Sequence, residues 1–133
     1  MKGSYVLLIE LKDNRRILIG KLGKQYFKKG FYLYVGSALN GLENRIRRHL
    51  SKKKKLHWHI DYLLQYANVV CVFYIEGTRR MECLIAESLS KNLLSISGFG
   101  CSDCNCKSHL FYGSEKELFS LVNKLKMLKY GGL

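Results

Sequence analysis

Two tyrosines stand beside glycines in apolar runs, in Gly3-Ser4-Tyr5 and in Tyr34-Val35-Gly36. Arg45 and His49 follow the second of them, and Glu82 and Glu87 come later in the chain. A phenol, a guanidinium, an imidazole and a carboxylate together have the chemistry to hydrolyse a phosphodiester. Water must lose a proton, charge on the phosphate must be neutralised, and the leaving oxygen must be stabilised. A divalent ion, Mg2+ or Mn2+, on a carboxylate serves the last two needs, and Mg2+ is content with one carboxylate and several waters. A guanidinium forks two donors onto phosphate oxygens, which suits Arg45. Tyr5 or Tyr34 would act as general base, helped by positive charge that lowers a phenol pKa starting near about 10. His49 would share that proton or contact phosphate. The same residue types also have ordinary uses, since tyrosines in strands commonly pack and helix charges face solvent.

A second group is Cys101-x-x-Cys104-x-Cys106-x-x-His109. Cysteine and histidine at such intervals can hold a tetrahedral structural zinc ion, Zn2+. Cys83 would contribute if this loop folded back on its helix. Free thiols and a disulfide are the other readings, and Asp103 in the same loop could instead assist the active site. His57-Trp58-His59 carries two imidazoles two positions apart, which share a face in an extended segment but not on a helix. Substrate contact suits them better than chelation. Beside them Lys52, Lys53, Lys54 and Lys55 form a basic run that, with Arg48, would grip phosphates without reading base sequence; a merely solvated loop is the plainer reading.

The bulk numbers point the same way. Twenty-three Lys and Arg oppose 10 Asp and Glu, a net charge of +13. A field of that sign attracts polyanions. Nucleic acid is the expected partner, DNA before RNA. No membrane partner is expected, because no run approaches the ~20 apolar residues of a span. With no signal-peptide pattern at Met1, a cytoplasmic location with mostly reduced cysteines is expected. At 133 residues the chain suits one domain, with a monomer as the default.

Positioning these side chains requires an α/β scaffold. Tyr5 to Glu10 reads as a strand, residues 12–15 as a turn, Arg16 to Ile19 as a returning strand and Phe31 to Val35 as a third, together a β-meander. Asn40 and Glu43 have capping-box spacing, and Leu42, Ile46 and Leu50 recur at helical intervals. Arg45 and His49, four apart, share a face of that helix. A short helix is expected over His57 to Tyr66 and a central strand over Asn68 to Ile75. Thr78 would cap a helix from Arg79 to about Asn92, with Met81, Leu84, Ile85, Ser88 and Leu89 as its packed face. Glu82 and Glu87 lie roughly 140° apart around that axis, so at most one faces a shared site. A Cys-rich loop over 98–108, a short strand from His109 to Tyr112 and a helix capped by Ser114 and running through Leu128, with Glu117 in the box position, complete the chain. The expected fold is a small mixed or antiparallel β-sheet flanked by α-helices, one domain over residues 1–133.

These motifs together resemble the GIY-YIG nuclease superfamily. On that resemblance Tyr5 matches the GIY tyrosine, Tyr34 and Gly36 the YIG pair, Arg45 the helical arginine, and His49 a position held by Tyr or His. Glu82-Cys83-Leu84-Ile85-Ala86-Glu87 resembles its E-A-x-x-x-E pattern, which makes Glu87 the metal ligand. The stretches GFYLYVGSA (30–38), HWHIDYLL (57–64) and GFGCSDCNCKSHLF (98–111) resemble a largely archaeal, small-domain branch, sometimes fused to a base-excision glycosylase. The resemblance implies a Mg2+- or Mn2+-dependent DNA endonuclease, with a role in repair or recombination. A non-catalytic nucleic-acid-binding module and an RNA endonuclease are the alternatives. The chain departs from the superfamily in three respects. Tyr5 and Tyr34 stand unusually far apart, as an inserted hairpin would explain. Ser37 sits where a basic residue is common, with Lys21, Lys24 or Arg48 as replacements. No asparagine after Glu87 matches the superfamily's late Asn.

Overall fold

The computed structural model describes residues 2–38, 40–77, 81–101 and 104–131. In chain order its elements are β1 (Gly3–Leu11), β2 (Arg15–Leu18), β3 (Lys24–Phe27), β4 (Gly30–Ala38), α1 (Leu42–Leu50), α2 (His59–Leu63), β5 (Asn68–Glu76), α3 (Glu82–Ser90), β6 (Leu94–Ser95), β7 (Leu110–Gly113), α4 (Glu115–Lys124) and β8 (Leu128–Lys129). The proposed Thr78 cap, the start of its helix at Arg79, and Asp103 lie outside the described residues.

β1 is apolar at nearly every position because both of its faces are covered. Side chains alternate along a strand. Tyr5, Leu7, Ile9 and Leu11 enter one core with α1, α2 and the β2–β3 hairpin, whereas Val6 and Leu8 enter a second core with α3 and α4. Each fully buried leucine of this run contributes about 2 kcal/mol of hydrophobic stabilisation. The result is a single α/β domain in which a six-stranded sheet, order β6-β7-β4-β1-β5-β8, lies between two helical layers. All of its pairings are antiparallel. Its two edge strands are two residues long, which leaves little open edge for another chain to pair with. Among the described residues no helix is long and apolar enough to cross a membrane.

The first strands do not form a meander. β1 pairs with β4 from Gly3 opposite Ala38 to Leu11 opposite Gly30, while β2 and β3 form a separate two-stranded sheet. The long pairing prevails because β4 is itself buried over most of its length, whereas only Ile17 of β2 is. The hairpin is thus the insertion between Tyr5 and Tyr34, and Ile17 and Phe27 anchor it to the Tyr5 core. β5, expected at the centre, lies beside the edge strand β8 and its ends are exposed. Gly41, with φ of 75°, occupies the N-cap position of α1 in place of Asn40. Ser114 caps α4 as expected, its Oγ accepting the Glu117 N–H at 3.1 Å. That helix stops at Lys124 instead of Leu128, and Lys126, with φ of 55°, turns the chain into β8.

Candidate functional site

A cleft of about 610 Å³ opens at one end of the sheet, lined by Tyr5, Tyr34, Arg45, His57, His59 and Glu82 among others. Tyr5 in β1 lies directly across from Gly36 in β4. Its ring crosses the neighbouring strand there, so that a Cβ on Gly36 would stand 2.5 Å from the phenol carbon and oxygen. Gly36→Ala is therefore expected to displace the phenol and to cost about 1–3 kcal/mol, the usual penalty of overpacking, read as a lower thermal midpoint.

Tyr5 and His49 form a buried pair, with Oη and Nε2 2.6 Å apart. Burial raises the Tyr5 pKa, an effect only partly offset by the Arg45 guanidinium. Burial, reinforced by Lys54, lowers that of His49 to about 3. Both groups are thus neutral near pH 7. One hydrogen bond joins the phenol oxygen and Nε2, and the imidazole Nδ1 is buried without a hydrogen-bond partner among the described residues. A folded pKa below the ordinary 6.5 makes the imidazole of the unfolded chain bind a proton first. Stability is therefore expected to be full above about pH 6.5 and to fall as pH drops toward 3, by at most about 1.4 kcal/mol per pH unit. His49→Gln should flatten that slope in urea-unfolding midpoints measured across the range. Asp61 contributes separately: its pKa is lowered from 3.8, so its contribution is lost only below that pH.

Tyr34 packs edge-on against His49 and Phe99, with ring centroids 6.1 and 6.2 Å apart. Arg45 donates to the Ser37 carbonyl at 3.0 Å and lies over the Trp58 ring at 4.3 Å. Arg48 meets the same ring at 4.3 Å. Its fork is closed on Asp61, with both N–O distances 2.8 Å. Asp61 is completely buried and also accepts the His57 and Trp58 N–H groups at 2.8 Å each. Burial alone would raise its pKa, but the Arg48 bonds and the two backbone donors outweigh it.

The basic run is divided between two roles. The Lys54 ammonium donates to the Arg48 and His49 carbonyls at the end of α1, at 3.0 and 3.2 Å. The Lys52 ammonium donates to the carbonyls of Leu64 and Ala67. Lys52, Lys54 and Arg48, all expected at phosphates, thus brace the fold, because carbonyls at helix ends need donors. Lys53 and Lys55 are exposed. Lys54→Ala is expected to lower the thermal midpoint. Replacing Lys53 and Lys55 together by Ala should leave it unchanged and flatten the salt dependence of DNA binding, by roughly 0.9 per lost phosphate contact in a log–log plot.

Glu82 and Glu87 are separated as their angular spacing demands. Glu82 accepts the Ser37 hydroxyl at 3.0 Å and lines the cleft. Glu87 is exposed on the flank of α3 and lines a different cavity. The structure therefore brings Glu82, and not Glu87, to the cleft that holds Tyr5 and Arg45. The buried stripe of α3 is Ile85, Ala86 and Leu89, and Leu84 is 48% exposed. Glu82 falls on that stripe at i, i+3, i+4 and i+7, so the true phase of the helix carried the signal. Of the three basic residues weighed as replacements at Ser37, Lys21 reaches the cleft. His57 lines the cleft mouth, and His59 Nδ1 accepts the Gly100 N–H at 2.9 Å, tying the Cys-rich loop to the site. Burial lowers the His59 pKa, which keeps that acceptor open.

The cysteine group is real but differently composed. Cys83, Cys104, Cys106 and His109 bring their ligand atoms within 4.8 Å of one another, a set that could hold a metal ion. Cys101 stays outside, its thiol 3.4 Å from the Phe99 carbonyl. Cys83 replaces it because the loop does fold back on α3, setting His109 Nε2 4.0 Å from the Cys83 sulfur and 3.5 Å from that of Cys104. Burial raises the pKa of the Cys83 and Cys106 thiols.

Neither the curated proteins nor the solved structures compared with the chain include a match. One family model does match it, over residues 4–129, and this span runs from the second residue of β1 through β8 and takes in the cleft and the cysteine cluster. The chain therefore belongs to the family described as domain of unknown function DUF123.

Proposed function

We propose that the cleft hydrolyses phosphodiester bonds in DNA, as a metal-dependent endonuclease of GIY-YIG type. The observation that carries this reading is that Tyr5, Arg45 and Glu82, from β1, α1 and α3, line one cleft with His49 bonded behind the phenol. The resemblance to GIY-YIG nucleases supports it, and so does the charge of +13.

Arg45, steered by Trp58 and the Ser37 carbonyl, supplies donors to a phosphate oxygen. The negative charge of bound phosphate favours a proton on His49 and so draws the Tyr5 proton toward Nε2. As that proton leaves, the phenol oxygen takes one from the attacking water. Glu82 is the one acid lining the cleft among the described residues, a donor set that fits Mg2+ or Mn2+. Such an ion would neutralise phosphate charge and stabilise the leaving oxygen. The three thiols and imidazole nearby are softer donors, suited to zinc in a structural role.

Supercoiled plasmid incubated with Mg2+ or Mn2+ should be nicked, EDTA should abolish nicking, and RNA of matched sequence should be cut more slowly. RNA cleavage alone would reassign the substrate. Intact DNA binding with no cleavage of duplex, branched or single-stranded DNA would leave the cleft a non-catalytic binding site.

A further inference from the structure

The cysteine cluster and the cleft meet at one residue. His109 turns Nε2 toward the sulfurs of Cys83 and Cys104, while its Nδ1 lies 3.8 Å from Glu82 Oε2. Glu82 and Cys83 are consecutive residues of α3, so the carboxylate lining the cleft and a thiol of the cluster sit on one rigid turn. A tetrahedral site with Zn–S of ~2.3 Å and Zn–N of ~2.0 Å has edges of roughly 3.5–3.8 Å. The 3.5 and 4.0 Å separations of His109 from two of the sulfurs are close to that size. The loop that supplies Cys104 and Cys106 also supplies Gly100, whose N–H meets His59 in the cleft.

We infer that zinc bound by Cys83, Cys104, Cys106 and His109 is coupled to the cleft through Glu82, which orients the zinc-binding imidazole while serving the cleft on its other side. The cleft role of Glu82 rests on the nuclease reading; the coupling to zinc does not need it. A histidine that ligates a metal through one ring nitrogen is typically held through the other by a carboxylate, and loss of that partner weakens the metal about 10–100-fold. Zinc in turn fixes His109, and with it the position of Glu82 and the loop at the cleft wall. Both residues are positioning groups in this respect.

The protein as purified should contain one zinc per chain by elemental analysis. Replacement by Co2+ should give the absorption of a tetrahedral, thiolate-rich site. Cys106→Ser should lose the ion and Cys101→Ser keep it. Competition with a chromogenic chelator should show Glu82→Gln holding zinc about 10–100-fold more weakly than wild type, with shifted Co2+ bands, and Glu87→Gln unchanged. Wild type without zinc and without a thiolate–Co2+ spectrum would overturn the site, even where Cys106→Ser fails to fold. Unaltered zinc affinity and Co2+ bands in Glu82→Gln would overturn the coupling. Absence of nicking by a zinc-loaded wild type would remove the nuclease reading alone, because none of these readouts depends on cleavage.

Discussion

Tyr5→Phe is expected to slow single-turnover DNA cleavage by about 10²–10⁴-fold, the usual contribution of a positioned proton-transfer group. DNA affinity should be unchanged, since Arg45 and the exposed lysines keep their places. The size of the effect follows from what is removed. The phenol oxygen is the cleft's link to His49, at 2.6 Å, and His49 lies behind it, 3% exposed. Phenylalanine fills the same space across Gly36 but offers no proton path. Tyr34→Phe should cost much less, because Tyr34 meets His49 in a T-shaped ring contact, with centroids 6.1 Å apart, that phenylalanine preserves. A loss in Tyr34→Phe equal to that in Tyr5→Phe would move the proton-transfer role to Tyr34.

Asp61→Ala is expected to destabilise the fold by about 3–5 kcal/mol, the cost of leaving one partner of a buried pair uncompensated. It would leave the Arg48 guanidinium with the Lys55 carbonyl, at 2.9 Å, as its remaining hydrogen-bond partner among the described residues and would strand the His57 and Trp58 N–H groups at once. Domains of this kind have about 5–15 kcal/mol in all, so urea unfolding should register a large fall in midpoint. Asp61→Asn should cost less, since an amide oxygen still accepts from the backbone. A loss below about 1 kcal/mol, the range of an exposed pair, would show that this carboxylate does not organise the segment. The effect should reach the cleft as well, because the Trp58 ring that Asp61 and Arg48 hold in place also lies under Arg45.

The parts of this arrangement that depend on local spacing were legible in the sequence. Arg45 and His49 do leave α1 on the side that faces Tyr5, and Ser114 does cap α4. The paired apolar strands were visible as well, but their partners were not. Pairing depends on which strand has two covered faces, and β4 outcompetes β2 across a long insertion. Which of Glu82 and Glu87 faces the cleft depends on the phase of α3, which its apolar residues leave ambiguous: Leu84 has the spacing of the packed stripe and is exposed, while Ala86 is buried. Lys52, Lys54 and Arg48 read as phosphate ligands because composition does not reveal carbonyls and carboxylates that approach from distant segments. Cys83 entered the cluster in place of Cys101 for a similar reason, since the return of a loop onto a helix is a tertiary event with little local signal.

Cleavage of DNA in the cleft lined by Tyr5, Arg45 and Glu82 would show in the Mg2+-dependent nicking rate of supercoiled plasmid, measured in parallel for wild type, Glu82→Gln and Glu87→Gln. Nicking that is lost in Glu82→Gln and retained in Glu87→Gln is the expected result. Nicking that survives in Glu82→Gln, or that disappears only in Glu87→Gln, would contradict it.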